Sequence, residues 1–235
     1  SMNHREEYEA RLARVNGAVA LEKTDRVPCI PLIQTFPYLR RGHTMAQALY
    51  DADLAGEDNL QYHLDFQPDM AVDYMATMAG EGPMLEKLRP TFLRWAGQPG
   101  SGVDENSIHQ FIERTYLEDE EYPEILTDFS GWVLRKLMPR IYPAAECFAR
   151  LNPPALASGK VRLGMRQFAD PRIAEAFALF AEAAGQYAEL GKKTAAHQKR
   201  LIEAGFPLYL GGAVSTAFDA LSDCLRGTLD IMMDL

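Results

Sequence analysis

A chain of 235 residues, 47% of them apolar, has the length for one large domain or two small ones with a substantial core and is too apolar for a disordered segment. Its 24 Lys and Arg against 33 Asp and Glu leave a formal net charge of -9, which gives no general attraction to phosphate backbones or anionic membranes, so nucleic acid is not an expected partner. Cys29, Cys147 and Cys224 are widely separated, show no zinc spacing and fit reduced thiols rather than a disulfide framework. The charged start lacks a signal-peptide core and no run reaches the roughly 18 apolar residues of a membrane helix, so a cytoplasmic protein is expected.

Tyr8, Leu12, Val15 and Val19 recur at helical spacing between Arg5 and Leu21. Val27 to Ile33 is short, apolar and branched, a first strand whose Pro28 and Pro31 restrict it to an edge or to its ends. Thr44 can cap a helix through Tyr50, and Asp53 opens another that carries Leu60, His63 and Leu64 and closes at Pro68. Met70 to Tyr74 reads as a second strand, followed by a loop rich in Gly and Met, and Phe92 to Ala96 and Ile108 to Tyr116 as further strands. The acidic run from Glu118 to Glu121 reads as a solvated helix start. Asp170-Pro171 opens the longest helical pattern, with Ile173, Phe177, Phe180, Ala184 and Tyr187 in phase, and Gly205 and Pro207 end it. A strand over Pro207 to Leu210, stopped by Gly211-Gly212, a helix from Ala217 and one from Leu229 complete the alternation, which breaks off inside a helix and suggests an incomplete domain.

Asp73 is the carboxylate to test first as general acid, base or holder of a cationic group, because it ends an apolar strand just before a glycine-containing loop. Its plainer alternative is an exposed acid capping that loop. Tyr74 and Met78 can line an apolar cavity or simply fill the core. Gln34 and Phe36, after the first strand, can offer an amide and an aromatic wall to a ligand, and His109 heads a candidate strand; loop hydrogen bonding is the alternative for Gln34 and His109. His43 and His63 read as surface or partly buried polar residues, His4 and His197 as solvated. Neither a phosphate-binding glycine fingerprint, a serine nucleophile elbow nor a metal spacing appears, so no metal ligand is expected within the chain.

Three stretches resemble the uroporphyrinogen decarboxylase superfamily: RVNGAVALEKTDRVP from Arg14, the region from Trp95 to Arg140 with GVDENSIHQFIERTYLEDEEYPEILTD and LRKLMPR, and GGAVSTAFDALSDCLRGTLDIMMDL from Gly211. In the last, Phe218, Asp219, Asp223, Leu225, Arg226, Gly227 and Asp234 stand in the family's order. The resemblance implies an α/β fold, a (β/α)8 TIM barrel formed as one domain over 2–235, with the chain covering its N-terminal part and the barrel incomplete. Ser1, ahead of Met2, reads as a cleavage remnant. Asp73 matches the family's aspartate that holds pyrrole nitrogens in the decarboxylase. The arginine-rich loop that binds substrate carboxylates there is replaced by Gln34-Thr35-Phe36-Pro37-Tyr38, and Arg40 and Arg41 are a poor substitute. That departure favours the superfamily's other branch, methyltransferases that use cobalamin as methyl carrier, with zinc held by residues beyond Leu235. The expectation is therefore a full-length corrinoid-dependent methyltransferase with Asp73 catalytic and Gln34, Phe36, Tyr74, Met78 and His109 binding a small molecule or a corrinoid protein. The alternatives are a porphyrinogen decarboxylase and a non-catalytic barrel fragment acting as a binding or assembly module, and a homo-oligomer is a partner the reading allows.

Overall fold

Helix starts follow local chemistry closely in the computed structural model, which describes residues 3–151, 155–157, 160–162, 165–209 and 215–234. Asn3 accepts from the Glu6 amide at 3.0 Å while Glu6 bonds back to the Asn3 amide at 2.9 Å, a reciprocal cap that opens α1 (His4–Val19). After the short α2 (Phe36–Arg40), Thr44 and Gln47 form the same pair at the start of α3 (Met45–Tyr50). The next helix, α4 (Ala52–Phe66), starts on Asp51, whose carboxylate accepts from the Asp53 and Leu54 amides at 3.0 Å. Gln67 ends it in the left-handed conformation, and Pro68 cannot continue it. Further on come α5 (Gly82–Leu88), α6 (Tyr122–Trp132), α7 (Met138–Ile141), the 33-residue α8 (Pro171–Glu203), α9 (Ala217–Leu221) and α10 (Thr228–Asp234).

The expected (β/α)8 barrel is not the fold. The described residues are mostly helical, and their sheets are two antiparallel pairs, β1 (Leu93–Arg94) with β2 (Gln110–Phe111) and β3 (Ala155–Ala157) with β4 (Lys160–Arg162). The physical reason lies in the segments expected to be strands. Val27 to Ile33 stays unpaired as a strand because Pro28 and Pro31 lack the N–H groups a ladder needs; its contact with 68–71 is instead Cys29, whose carbonyl accepts from the Asp69 amide at 2.8 Å. Met70 to Tyr74 pairs with the 207–209 segment through one parallel bridge, Ala71 to Leu208, before the chain turns into a 3-10 helix at Tyr74. Leu210 and Gly211-Gly212 lie outside the described residues. Among those described, no helix is long and apolar enough to cross a membrane.

The chain divides into two compact units. The first comprises Ser1–Pro83, Trp95–His109 and Tyr187–Ala213, and the second Met84–Arg94, Gln110–Gln186 and Val214–Leu235, so α8 contributes residues to both. In the first, Ala71, Leu201 and Phe206 form an apolar cluster with Leu60 and Leu208 against it, and Asp69, fully buried, accepts from Arg14 (2.5 Å), Arg26 (2.6 Å) and the Cys29 amide (2.7 Å). In the second, Ala145, Phe148, Leu151, Ile173 and Ala176 form the core. Glu121 there is no solvated helix start: it is buried, takes both guanidinium nitrogens of Arg140 at 2.6 and 2.7 Å, and accepts from Trp132 Nε1 at 3.1 Å.

Candidate functional site

Asp73 and Tyr74 stand in the first unit where three pieces of chain meet: α4, the 71–77 segment, and the last turns of α8. Asn59 of α4 ties the three together. Its side-chain amide donates to the Val72 carbonyl at 3.0 Å, and its Oδ1 accepts from His197 Nε2 of α8 at 2.9 Å. Because Asn59 Oδ1 can only accept, His197 carries its proton on Nε2 and presents Nδ1 as a bare lone pair. That Nδ1 is buried with no hydrogen-bond partner among the described residues. A Cβ on Gly56 would stand 3.3 Å from it and 3.5 Å from the Tyr74 ring, so the close seat of these rings on α4 depends on a residue without a side chain.

The neighbouring hydroxyls form two relays. Tyr74 donates to Thr194 Oγ1 (3.2 Å), which itself donates to the Leu190 carbonyl (3.0 Å). Tyr38 donates to Thr77 Oγ1 (2.9 Å), which donates to the Tyr74 carbonyl (2.7 Å). His63, one turn beyond Asn59, gives its Nδ1 proton to the Asn59 carbonyl at 2.7 Å. All of these side chains are buried, so each exchanged water for a fixed partner, and the loss of any one strands the other. At the edge of the group the Asp73 carboxylate, partly buried, accepts from Gln198 Nε2 at 2.6 Å.

Burial sets the protonation of the site. It lowers the His197 pKa to about 4, against an opposing pull from the Asp73 carboxylate, and lowers that of His63 as well. It raises the Tyr38 and Tyr74 phenols. At neutral pH both imidazoles are therefore uncharged and both phenols protonated. The group is a hydrogen-bonding framework, and the carboxylate of Asp73 is the charge it holds at its rim.

Of the residues expected to form the site, Asp73 and Tyr74, neighbours in the chain, both meet α8: Asp73 bonds to Gln198, and the Tyr74 ring lies 5.0 Å from that of His197. Phe36 belongs to an aromatic group beside them: it meets Tyr62 edge-on at 5.9 Å and Phe66 at 5.7 Å, and Tyr62 in turn meets His63 at 5.2 Å. Gln34 is exposed on a turn with φ 40, and Met78 is half-buried in the loop after Tyr74 with φ 61; neither makes a hydrogen bond to this group. His109 is half-buried, with its pKa lowered by burial. Asn59, His63, Thr194, His197 and Gln198 carry the geometry and are not among the expected site residues. His197 is not solvated but 4% exposed, and His63 is 1% exposed. A signal for them exists in the long helical pattern, since Leu190, Thr194, His197 and Leu201 fall on one face at spacings of three and four, with polar groups where apolar ones are usual.

Among the described residues no group of three or more His, Cys, Asp or Glu is close enough to hold a metal ion. Set against protein-family models, curated proteins and solved structures, the chain matches none.

Proposed function

We propose that this chain is a relative of the uroporphyrinogen decarboxylase superfamily that binds a corrinoid for methyl transfer, with Asp73 as the group that receives the ligand. The observation that carries the reading is the Asp73 carboxylate, held by Gln198 Nε2 at 2.6 Å on the rim of a buried, uncharged framework. A carboxylate so held is an acceptor for amide or pyrrole N–H groups with little reorganisation on binding. Phe36 and Phe66, each about half exposed and edge-to-face at 5.7 Å, offer apolar aromatic surface of the kind a flat macrocycle covers. The corrinoid, when bound, would supply the methyl group; the chain's own residues bind and orient it. The three resembling sequence stretches are the remaining support.

The decarboxylase alternative needs free guanidinium groups for a substrate with many carboxylates. Arg40 is held by Asp65 (3.2 Å) and Arg41 by Asp58 (2.6 Å), which leaves both partly neutralised where that loop would act. Titration of the protein with methylcobalamin, followed by absorbance, tests the proposal. Saturable binding that weakens about tenfold in Asp73→Asn is the expected result, since a carboxylate acceptor is worth about 1.5 kcal/mol over an amide. No saturable binding, or binding indifferent to Asp73→Asn, would remove this reading.

A further inference from the structure

We propose that the second unit carries a separate binding cleft for a small zwitterion with an apolar body, of the class of an apolar α-amino acid. The cleft has a volume of about 440 Å³, within the roughly 300–1,000 Å³ range of small-molecule sites. One wall is the 3-10 helix Pro143–Arg150 and the other is the first turns of α8. The walls are fixed to one another. Phe148 lies tilted against Phe177 at 4.9 Å and against Phe180 at 5.9 Å, Tyr142 meets Phe180 edge-on at 5.5 Å, and the Cys147 thiol reaches the Arg172 carbonyl at 3.5 Å. Ala176, in the cleft lining, is itself part of the buried core, so the floor is apolar and preformed; Ala144 and Leu179 extend it.

The charges on the lining select the ligand. Arg172 is occupied, forked onto Asp170 through Nε (3.2 Å) and Nη2 (2.8 Å). Glu146 and Arg150 on one wall and Glu175 on the other have no ion-pair partner among the described residues, although Glu146 and Arg150 are four apart on one element. The cleft thus offers a carboxylate from each wall and one guanidinium above an apolar floor. An ammonium group between Glu146 and Glu175, a carboxylate on Arg150 and an aliphatic or aromatic side chain on Ala144, Ala176 and Leu179 would use every one of these groups. A plain amine leaves Arg150 unmatched, and a plain acid leaves both glutamates unmatched.

Cys147 lines the cleft and reports on its occupancy, while Cys29 and Cys224 are exposed elsewhere and serve as controls. L-phenylalanine and L-leucine are titrated into the protein by calorimetry, with phenethylamine and 3-phenylpropionate as half-ligands. Cys147 alkylation by iodoacetamide is followed in parallel by peptide mapping. The expected result is saturable binding of the amino acids, at least tenfold tighter than either half-ligand, with several-fold slower alkylation of Cys147 and unchanged alkylation of Cys29 and Cys224. Glu175→Gln and Arg150→Gln, both at exposed positions, should each weaken binding about tenfold while the Trp132 emission stays native. Absence of saturable binding by both amino acids overturns the proposal. So does phenethylamine binding as tightly as L-phenylalanine, affinity unchanged when Glu175→Gln and Arg150→Gln are combined in one chain, or alkylation of all three cysteines slowed alike.

Discussion

The two units solve burial in opposite ways. The first places Asp69, Asn59, His63, Thr77, Thr194 and His197 in its interior and matches them by hydrogen bonds, although His197 Nδ1 has no partner among the described residues. The second fills its centre with Phe148, Ile173, Leu151 and two alanines, and keeps its charge in ion pairs such as Glu121 with Arg140 and Arg226 with Asp234. All five histidines of the chain fall in the first unit and none in the second. A polar interior is held by direction and charge, an apolar one by volume, and the two respond differently to conservative replacement. One tryptophan stands in each, Trp95 at 1% exposure in the first and Trp132 at 0% in the second, so fluorescence can follow them separately once the other is replaced by Phe.

The largest contrast is expected at Asp69 and Phe148. Asp69→Ala leaves Arg14 and Arg26 facing one another without their shared carboxylate and should cost about 3–5 kcal/mol in urea unfolding read by Trp95. Asp69→Asn keeps the volume and should still cost more than about 2 kcal/mol, because shape without charge does not satisfy two guanidinium groups. Phe148→Ala should cost a comparable 3–5 kcal/mol read by Trp132, from the cavity it opens, but Phe148→Leu only about 1 kcal/mol. Equal tolerance of Asn at 69 and Leu at 148 would break the comparison.

Acid should separate the units next. His197 has a pKa of about 4 in the folded chain against its ordinary 6.5, so the unfolded chain binds more protons between those values. Stability is complete above pH 6.5 and falls as pH drops toward 4, by about 3 kcal/mol at this one site. Asp73 and Glu57 face the ring and favour its charged form, Arg200 and His63 oppose it, and burial outweighs all four. The lowered pKa of His63 acts in the same direction. In the second unit the first strong loss comes from Glu121, whose carboxyl is held below its ordinary 4.5 by Arg140, so its contribution persists until pH falls below about 4.5. The Trp95 urea midpoint should therefore fall from pH 6.5 downward while the Trp132 midpoint holds to about 4.5. His197→Gln, which keeps a donor for Asn59 Oδ1 and removes the titration, should flatten the Trp95 slope.

What the sequence made legible was local chemistry. Thr44 with Gln47, Asp170-Pro171 and Gly205 each act within three or four residues of where they stand, and they bound real helices. Asp73 and Tyr74 stand out in the sequence because they close an apolar run, which marks a position and not a role. The phase of α8 was not: Phe177 and Tyr187, large and in register with Ile173, are 44% and 52% exposed, while Ala176, Ala183, Leu190 and His197 face inward. Small and polar residues win that face because their partners are backbone and side chains far off in sequence, Asn59 being 138 residues from His197. Strands failed for the same reason in reverse. An apolar run such as Val27 to Ile33 looks like a strand by composition, yet its prolines deny it a ladder, and pairing depends on a neighbour that composition does not name.

Glycine provides the finest test of whether the first unit is the more exacting one. Gly80 and Gly227 both have a positive φ, +82 and +86. At Gly80 a Cβ would come within 2.6 Å of Leu190 Cδ1 and 2.9 Å of the Ala52 Cβ, where α8 and α4 enclose the turn. At Gly227 the nearest atom is Glu113 Cγ at 3.6 Å, an ordinary contact. Alanine at 227 thus carries only the backbone penalty of its positive φ, and alanine at 80 adds to its own backbone penalty the steric displacement of two buried neighbours, about 1–3 kcal/mol more. Measured by Trp132 and Trp95 respectively, a Gly80→Ala loss no larger than that of Gly227→Ala would mean that Leu190 and Ala52 yield freely. The close seat of α8 on the Asp73 framework would then be looser than the hydrogen bonds of Asn59 and Gln198 require.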